Sequence, residues 1–195
     1  MPEPICPLCG ESGSDQSICR DCIKIPPAFD ALRSATLFEG KIREALHRLK
    51  YCQDIGLGEV LAPHLMDVYQ KQTWNADLVT AVPLSRKRQR MRGYNQAEIL
   101  AKPFAALIHK PYSSRVVQRI IDTRSQIDLS ADERHQNVLG AFYTNTMDIN
   151  QKSVIIVDDV STTGSTISEC ALALKRAGAI KVYALTLARA PLKLK

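Results

Sequence analysis

Strand and helix signals alternate along this chain, and that alternation limits the fold more than any other feature. The segment SVIIVDDV (153–160) contains a run of four apolar, β-branched residues (154–157), which is typical of a buried strand. Residues 165–178 have the spacing of a helix that Gly178 ends, and IKVYALTLA (180–188) predicts the next strand. Strands separated by helices favour a parallel sheet covered on both faces, so the sequence predicts an α/β fold.

The preceding part of the chain repeats the same alternation. Strands are predicted at 31–38, 77–84 and 115–121, and helices are predicted at 40–51, 59–70 and 95–110. Ligands of open α/β sheets bind beyond the carboxyl ends of the strands. We therefore expect the functional site where the apolar run 153–157 gives way to polar residues.

Two aspartates and a loop rich in hydroxyl groups stand at that point. Asp158 and Asp159 follow the apolar run, and STTGST (161–166) leads into the next helix. One side-chain oxygen is enough to cap a helix, so capping alone leaves most of these residues unexplained. The acidic strand of a nucleoside triphosphatase is another interpretation, but it requires a G-x-x-x-x-G-K-[ST] loop, which the sequence lacks.

A ribose 5-phosphate site accounts for all of these residues. Backbone N–H groups at the start of a helix bind anions, and Gly164 allows a phosphate to approach the backbone closely. Further donors come from the hydroxyl groups of Thr162, Thr163, Ser165 and Thr166. The carboxylates of Asp158 and Asp159 can accept hydrogen bonds from the two hydroxyls of a vicinal diol, which makes them the candidate catalytic residues.

Cysteines are concentrated near the amino terminus, in two C-x-x-C pairs. The pairs consist of Cys6, Cys9, Cys19 and Cys22. Each pair presents two thiolates to one ion, and the two pairs together complete a tetrahedral zinc site. Since no coordination position is left open, we expect this zinc to be structural. We divide the chain into a zinc module, residues 1–26, and a main domain, residues 27–195.

Charge and hydropathy narrow the class of protein further. The net charge of +6 permits an acidic partner without requiring one. The segment RKRQRMR (86–92) is either a solvated charge run or a patch that faces phosphates. No apolar run approaches the roughly 20 residues that a membrane span needs. The first residues show no signal-peptide pattern, so we expect a cytoplasmic protein.

The stretch VIIVDDVSTTGST (154–166) resembles the signature of type I phosphoribosyltransferases in length, order and context. The resemblance implies the type I phosphoribosyltransferase fold and the ligand phosphoribosyl pyrophosphate with magnesium. Magnesium prefers oxygen ligands and would be held largely by the substrate, near Asp158 and Asp159. A cation must neutralise the pyrophosphate, and Lys50 and Arg92 are the candidates.

Motifs spread over the rest of the chain resemble the competence protein F family. They are HRLKY (47–51), VPL (82–84), RGYNQAEILA (92–101), a spaced pattern from Arg119 to Asn137, LAR (187–189) and the four-cysteine module. Ala81 stands where the family usually has a proline. The polar segment 119–137 is long enough to form a mobile flap over the site.

This resemblance implies a role in natural transformation, in which the protein handles incoming single-stranded DNA beside a helicase-like ATPase. The candidate DNA contacts are Arg86, Lys87, Arg88 and Arg90. The residues leave open whether the protein catalyses transfer of the ribosyl group from phosphoribosyl pyrophosphate to an acceptor. One alternative is a nucleobase-salvage phosphoribosyltransferase, although aromatic residues for a base pocket are scarce after the strand 180–188. The other is a non-enzymatic adaptor that uses the site as a ligand sensor.

Overall fold

The computed structural model describes residues 4–13, 15, 17–121, 131–145 and 149–190. The strands are β1 (Ala31–Leu37), β2 (Leu78–Ala81), β3 (Val117–Arg119), β4 (Phe142–Thr144), β5 (Ser153–Ser161) and β6 (Lys181–Arg189). The helices are α1 (Arg20–Lys24), α2 (Gly40–Tyr51), α3 (Leu57–Gln70), α4 (Arg86–Arg92), α5 (Gln96–Leu107), α6 (Ala131–Val138) and α7 (Ser165–Arg176). None of these helices is long and apolar enough to cross a membrane.

Four strands form the central sheet in the order β1-β6-β5-β2. All three neighbouring pairs run parallel, so the carboxyl ends of the four strands lie along one edge. The predicted parallel α/β fold is therefore confirmed. The longest strands, β5 and β6, occupy the centre, where helices cover both of their faces.

Side chains of β5 alternate between two apolar clusters on opposite faces of the sheet. Val154 and Ile156 pack into a cluster with residues of α7, whereas Ile155 and Val157 pack with residues of α2, α3 and α5. Because the alternation continues along the strand, Asp158 lies on the α7 face and Asp159 lies on the face of α2 and α5.

The strand predicted at 115–121 does not join the central sheet. The part of this segment that forms a strand, β3, pairs antiparallel with β4 in a separate two-stranded sheet. Val117 is buried and Gln118 is exposed, an alternation typical of a strand with only one covered face. The two short strands pack against α7. Of the flap predicted at 119–137, residues 122–130 lie outside the described residues, and residues 131–137 belong to α6.

The amino-terminal cysteines share the core of the main domain. Cys6, Cys9 and Cys22 are buried in the same apolar cluster as Phe29 and Leu32. The boundary that we drew at residue 26 therefore remains a prediction, since one continuous cluster spans it.

Backbone contacts also join this region to β1. Leu32 N donates a hydrogen bond to Leu8 O at 2.7 Å, and the Arg33 guanidinium donates to Pro7 O at 3.1 Å. Gly10 has φ +72°, and a Cβ at this position would lie 2.8 Å from Leu32 O. The cysteine region thus packs directly on β1 and needs a glycine at its closest approach.

Candidate active site and metal centre

A cavity of about 710 Å³ opens at the carboxyl edge of the parallel sheet. Its walls include the residues that follow all four strands, namely Phe38 after β1, residues 82–84 after β2, residues 162–167 after β5 and Ala190 after β6. Asp158, Asp159 and the whole hydroxyl loop line this cavity, together with Lys50, Arg88 and Arg92. The fold therefore brings the predicted ribose-phosphate residues and both candidate pyrophosphate cations to one place.

The hydroxyl loop consists of residues 162–164, between β5 and α7. Gly164 has φ +76°, a conformation that residues with side chains rarely adopt. A Cβ at this position would lie 3.5–3.6 Å from side-chain atoms of Phe29 and Leu32. These distances are ordinary van der Waals contacts, so it is the backbone conformation that favours glycine here. The Thr163 and Ser165 hydroxyls are hydrogen bonded to each other at 2.8 Å, at the start of α7.

The aspartate pair lies within β5, which continues as far as Ser161. Asp158 is half-buried, whereas Asp159 is only 5% exposed. The two side chains leave opposite faces of the strand, and the backbone N–H of Asp159 donates to Asp158 Oδ1 at 2.9 Å. The carboxylates therefore have different surroundings, although they are adjacent in sequence.

Asp159 is held by two side chains that are distant in sequence. The Lys50 ammonium forms an ion pair with Oδ2, and Gln96 Nε2 donates to Oδ1 at 3.3 Å. Burial would raise the pKa of Asp159, but the Lys50 ammonium, together with hydrogen bonds with Asp158 and Gln96, outweighs this effect and lowers the pKa. In contrast, burial and the neighbouring Asp159 carboxylate raise the pKa of Asp158.

The motif RGYNQ (92–96) forms the junction between α4 and α5, and each of its side chains has a contact. Gly93 ends α4 with φ +83°, and Asn95 Oδ1 caps α5 by accepting from Ala97 N at 3.0 Å. Tyr94 donates its hydroxyl proton to Leu49 O at the end of α2. Arg92 donates to Gln96 Oε1, and its guanidinium lies 5.5 Å from the ring centroid of Tyr51.

The basic run 86–92 forms the short helix α4, which Ser85 caps by accepting from Arg88 N at 3.3 Å. Residues four apart share one face of a helix. Arg88 and Arg92 accordingly line the cavity, whereas Arg86, Lys87 and Arg90 are exposed to solvent. The predicted DNA contacts therefore divide into one residue at the cavity and three on the outer surface.

The four predicted zinc ligands form one cluster. The Sγ atoms of Cys6, Cys9, Cys19 and Cys22 all lie within 4.8 Å of one another. Four sulfurs bound at about 2.3 Å to a tetrahedral zinc are separated by about 3.8 Å. The Cys9–Cys19 Sγ distance of 3.6 Å agrees with this spacing, so the cluster fits a metal ion.

The thiols of this cluster have pKa values that depend on their burial. Burial raises the pKa of the Cys9 thiol to about 11, and it also raises the pKa of Cys22. Burial also acts to raise the pKa of Cys6, but backbone N–H donors, chiefly that of Cys19, outweigh it and lower the value to about 7. A metal must displace the thiol protons, so its binding should weaken at low pH.

Arg189, at the end of β6, joins the cysteine cluster to the region beneath the hydroxyl loop. Its side chain is 5% exposed, pairs with Glu11 at 2.6 Å and donates to Cys9 O at 2.6 Å. Arg189 lies opposite Ser161 in the ladder between β5 and β6. A smaller cavity of about 160 Å³ separates the cysteines from the hydroxyl loop. The cysteine cluster therefore lies directly behind the candidate phosphate site.

Among the side chains that line the main cavity, sequence reasoning assigned no individual role to Phe38, Tyr51, Gln96 and Arg119. Tyr51, Gln96 and Arg119 belong to motifs that carried the family resemblance, whereas no signal pointed to Phe38. Phe38 and Tyr51 give the cavity the aromatic surface that the segment after β6 lacks. Phe38 directly follows β1 and Tyr51 is the last residue of α2, so the sheet places the first and the packing of α2 against the sheet places the second.

Residues 90–195 match the family of phosphoribosyl transferase domains, which covers more than half of the chain. The matched part contains the aspartate pair, the hydroxyl loop and the two central strands. The class of protein that the fold and the cavity define is therefore a phosphoribosyl transferase domain.

Relatives that match nearly the full length of this chain indicate a more specific family. DNA utilization protein YhgH of Escherichia coli strain K12 is 30% identical over 191 residues, which cover 95% of this chain and 84% of the relative. Competence protein F of Haemophilus influenzae is 31% identical over 195 residues, which cover 94% of this chain and 85% of the relative. The chain therefore belongs to the competence protein F family of phosphoribosyl transferase domain proteins. A solved structure, adenine phosphoribosyltransferase from Thermoanaerobacter pseudethanolicus, is 14% identical, with 71% of this chain and 83% of that chain covered and a TM-score of 0.44.

Proposed function

We propose that the cavity binds phosphoribosyl pyrophosphate with magnesium, and that the protein uses this site in handling single-stranded DNA in the cytoplasm during natural transformation. The observation that carries the proposal is the composition of one cavity wall. An aspartate pair, a hydroxyl loop at the start of a helix and the cations Lys50 and Arg92 all line the cavity.

The ligand would span the cavity from the hydroxyl loop to the α4–α5 junction. The N–H groups at the start of α7 and the loop hydroxyls suit a 5-phosphate. Asp158 and Asp159 suit the ribose diol, and Lys50 and Arg92 suit the pyrophosphate. Magnesium prefers oxygen ligands and would be held largely by the ligand itself, near the two carboxylates. When bound, magnesium neutralises the charge of the pyrophosphate.

Transfer of the ribosyl group, where it occurs, needs little covalent chemistry from the protein. The C1–pyrophosphate bond breaks with development of positive charge on the ribose, and an acceptor then forms the new bond at C1. The chain's contribution is to position the sugar and to stabilise charge at its two ends. Lys50 and Arg92 would stabilise the departing pyrophosphate, and Asp158 and Asp159 would hold the sugar.

Nucleobase salvage is the second candidate, because the aromatic side chains of Phe38 and Tyr51 line the cavity. Tyr51 is 61% exposed, but its ring is already contacted by Arg92 and by His47. The names of the two relatives, which concern DNA utilization and competence, favour the first candidate. A non-enzymatic ligand sensor would have the same binding site but no turnover.

The experiment that tests the function measures binding and turnover separately. We expect calorimetry to show binding of phosphoribosyl pyrophosphate with magnesium, and weaker binding of ribose 5-phosphate, which lacks the pyrophosphate. Release of pyrophosphate is then followed with no acceptor, with single-stranded DNA and with free nucleobases. Release only with a nucleobase would identify a salvage enzyme, and binding without any release would identify a sensor. Absence of binding would contradict the proposal.

The exposed face of α4 should bind the DNA. Arg86, Lys87 and Arg90 are exposed, and α4 ends at the cavity, so a strand that passes the site meets their charges. Changing all three to alanine should weaken the binding of single-stranded DNA regardless of its sequence. The slope of log affinity against log salt should become shallower by about 0.7 for each phosphate that the variant no longer neutralises.

Two controls distinguish this interaction from a general effect of charge. Binding of phosphoribosyl pyrophosphate should be unchanged in the triple variant, because none of the three side chains lines the cavity. A variant with Lys41, Arg43 and Lys71 changed to alanine removes the same charge from other exposed positions and should keep the wild-type slope. An unchanged slope in the α4 variant would show that these charges are only a solvated surface.

A further inference from the structure

Gln96 is almost fully buried, with 6% of its surface exposed, although its side chain is polar. The amide makes contacts in two directions. Its Nε2 donates to Asp159 Oδ1 at 3.3 Å, and its Oε1 accepts a hydrogen bond from Arg92. A buried amide requires hydrogen-bond partners. Here both partners are charged side chains, which the proposed function assigns to two neighbouring groups of the ligand, the diol and the pyrophosphate.

The backbone that carries Gln96 is fixed on both sides. Asn95 Nδ2 donates to Val82 O at 2.9 Å, which ties the start of α5 to the segment after β2. Tyr94 is bonded through its hydroxyl to Leu49 O, which ties the junction to the last turn of α2. Gln96 therefore projects from an anchored position and connects groups of α4 and β5.

We propose that Gln96 is a positioning residue, which holds the Asp159 carboxylate and the Arg92 guanidinium at a constant separation. The inference rests on the proposed function of the cavity and deepens it. The pyrophosphate of the ligand is on C1, beside the diol on C2 and C3, so the diol acceptor and the pyrophosphate cation must stand in a fixed relation. The amide of Gln96 provides this relation because it donates to one group and accepts from the other.

The charged surroundings of Asp159 give the proposal a signature in the pH profile. Asp159 faces Lys50 from α2, Asp158 from β5 and Gln96 from α5, with the Arg92 of α4 behind Gln96. The Gln96 donor helps to lower the pKa of Asp159, after the larger effect of Lys50. Binding that needs the ionised carboxylate is lost as the pH falls through this pKa. Without the donor, the loss should begin at a higher pH.

Calorimetric titration of the full chain with phosphoribosyl pyrophosphate and magnesium tests the inference. We expect Gln96→Leu to weaken binding about 10- to 100-fold, as is typical for loss of hydrogen bonds to charged groups. The acidic limb of the pH profile of binding should move to higher pH in this variant. In an Arg92→Ala background the same change should have a smaller effect, because part of its action passes through Arg92. Gln89→Leu, on the exposed surface of α4, is the matched control and should behave like the wild type.

A second variant covers the case in which Gln96→Leu fails to fold. Gln96→Asn keeps an amide but is one methylene shorter, so it cannot reach both partners, and it should show the same weakening and the same pH shift. If the wild type binds the ligand, two results together would overturn this inference alone. The effects of Gln96→Leu and Arg92→Ala on the binding free energy would be additive, and the acidic limb of the pH profile of binding would be unchanged. Absence of binding by the wild type would overturn the proposed function as well.

Discussion

Replacing both Asp158 and Asp159 by alanine will weaken the binding of phosphoribosyl pyrophosphate by about 100-fold or more. The two carboxylates are the acceptors that we assign to the ribose diol, and hydrogen bonds to charged groups contribute about 1.5–3 kcal/mol each. Calorimetry with magnesium present measures the loss. Asp77→Asn is the matched control, because Asp77 lies before β2 at the opposite edge of the sheet and bonds to Ser153 N at 2.9 Å. Wild-type affinity in the double variant would exclude the assignment.

Single variants of the pair should change stability in opposite directions. The pKa of Asp158 is raised in the folded state, so stability decreases as the pH rises from about 4 through that pKa. Asp158→Asn removes this loss and should raise the melting temperature at neutral pH. The pKa of Asp159 is lowered, and its contribution is present at neutral pH and lost on acidification. Asp159→Asn should therefore lower the melting temperature, since Lys50 loses its partner. Thermal denaturation over a range of pH checks both signs.

Changing Cys9 to serine will remove the metal and the order of the amino-terminal region. Metal analysis of the wild type should find about one zinc per chain, as four cysteine ligands imply. The variant should contain almost none. Structural zinc contributes about 10–16 kcal/mol of binding free energy in zinc-finger peptides, so a large loss of local stability is expected. Zinc retained by Cys9→Ser, or an ordered amino-terminal region in metal-free protein, would contradict the assignment.

The loss of order in Cys9→Ser should extend to the hydroxyl loop. Cys9 O accepts from Arg189, and Cys9 packs in the cluster that contains Phe29 and Leu32, directly beneath Gly164. Hydrogen exchange of residues 161–168 should therefore become faster in Cys9→Ser. Cys52→Ser is the matched control, because Cys52 is exposed and lies outside the four-cysteine cluster. Unchanged exchange in this loop would show that the metal centre stabilises only its own segment.

Much of the candidate site can be predicted from the sequence because its parts are local. The C-x-x-C spacing brings two thiols together within one tight turn, whatever the rest of the chain does. The apolar run before Asp158 and the glycine at 164 indicate a strand, a loop and a helix within about fifteen residues. The carboxyl-edge location follows from the alternation of strands and helices alone.

Strand lengths and partners were predicted less well, because they depend on contacts between distant segments. The segment 115–121 has the composition of a core strand, yet the strand that it forms, β3, pairs with β4 outside the central sheet. The aspartates are not at the end of β5, because pairing with β6 continues the strand to Ser161. Alternation then places Asp158 and Asp159 on opposite faces, although they are adjacent in the sequence.

The sequence by itself determined the class of fold, the four-cysteine cluster and the hydroxyl loop, since each is specified by residues close together in the chain. Only the tertiary structure decided which side chains surround these groups. It brings Lys50 and Gln96 to Asp159, and it places the cysteine cluster behind Gly164. The strand order β1-β6-β5-β2 is responsible, because it aligns the ends of strands that are far apart in the chain. Hydrophobic periodicity specifies which face of each element is buried, but not which element covers it.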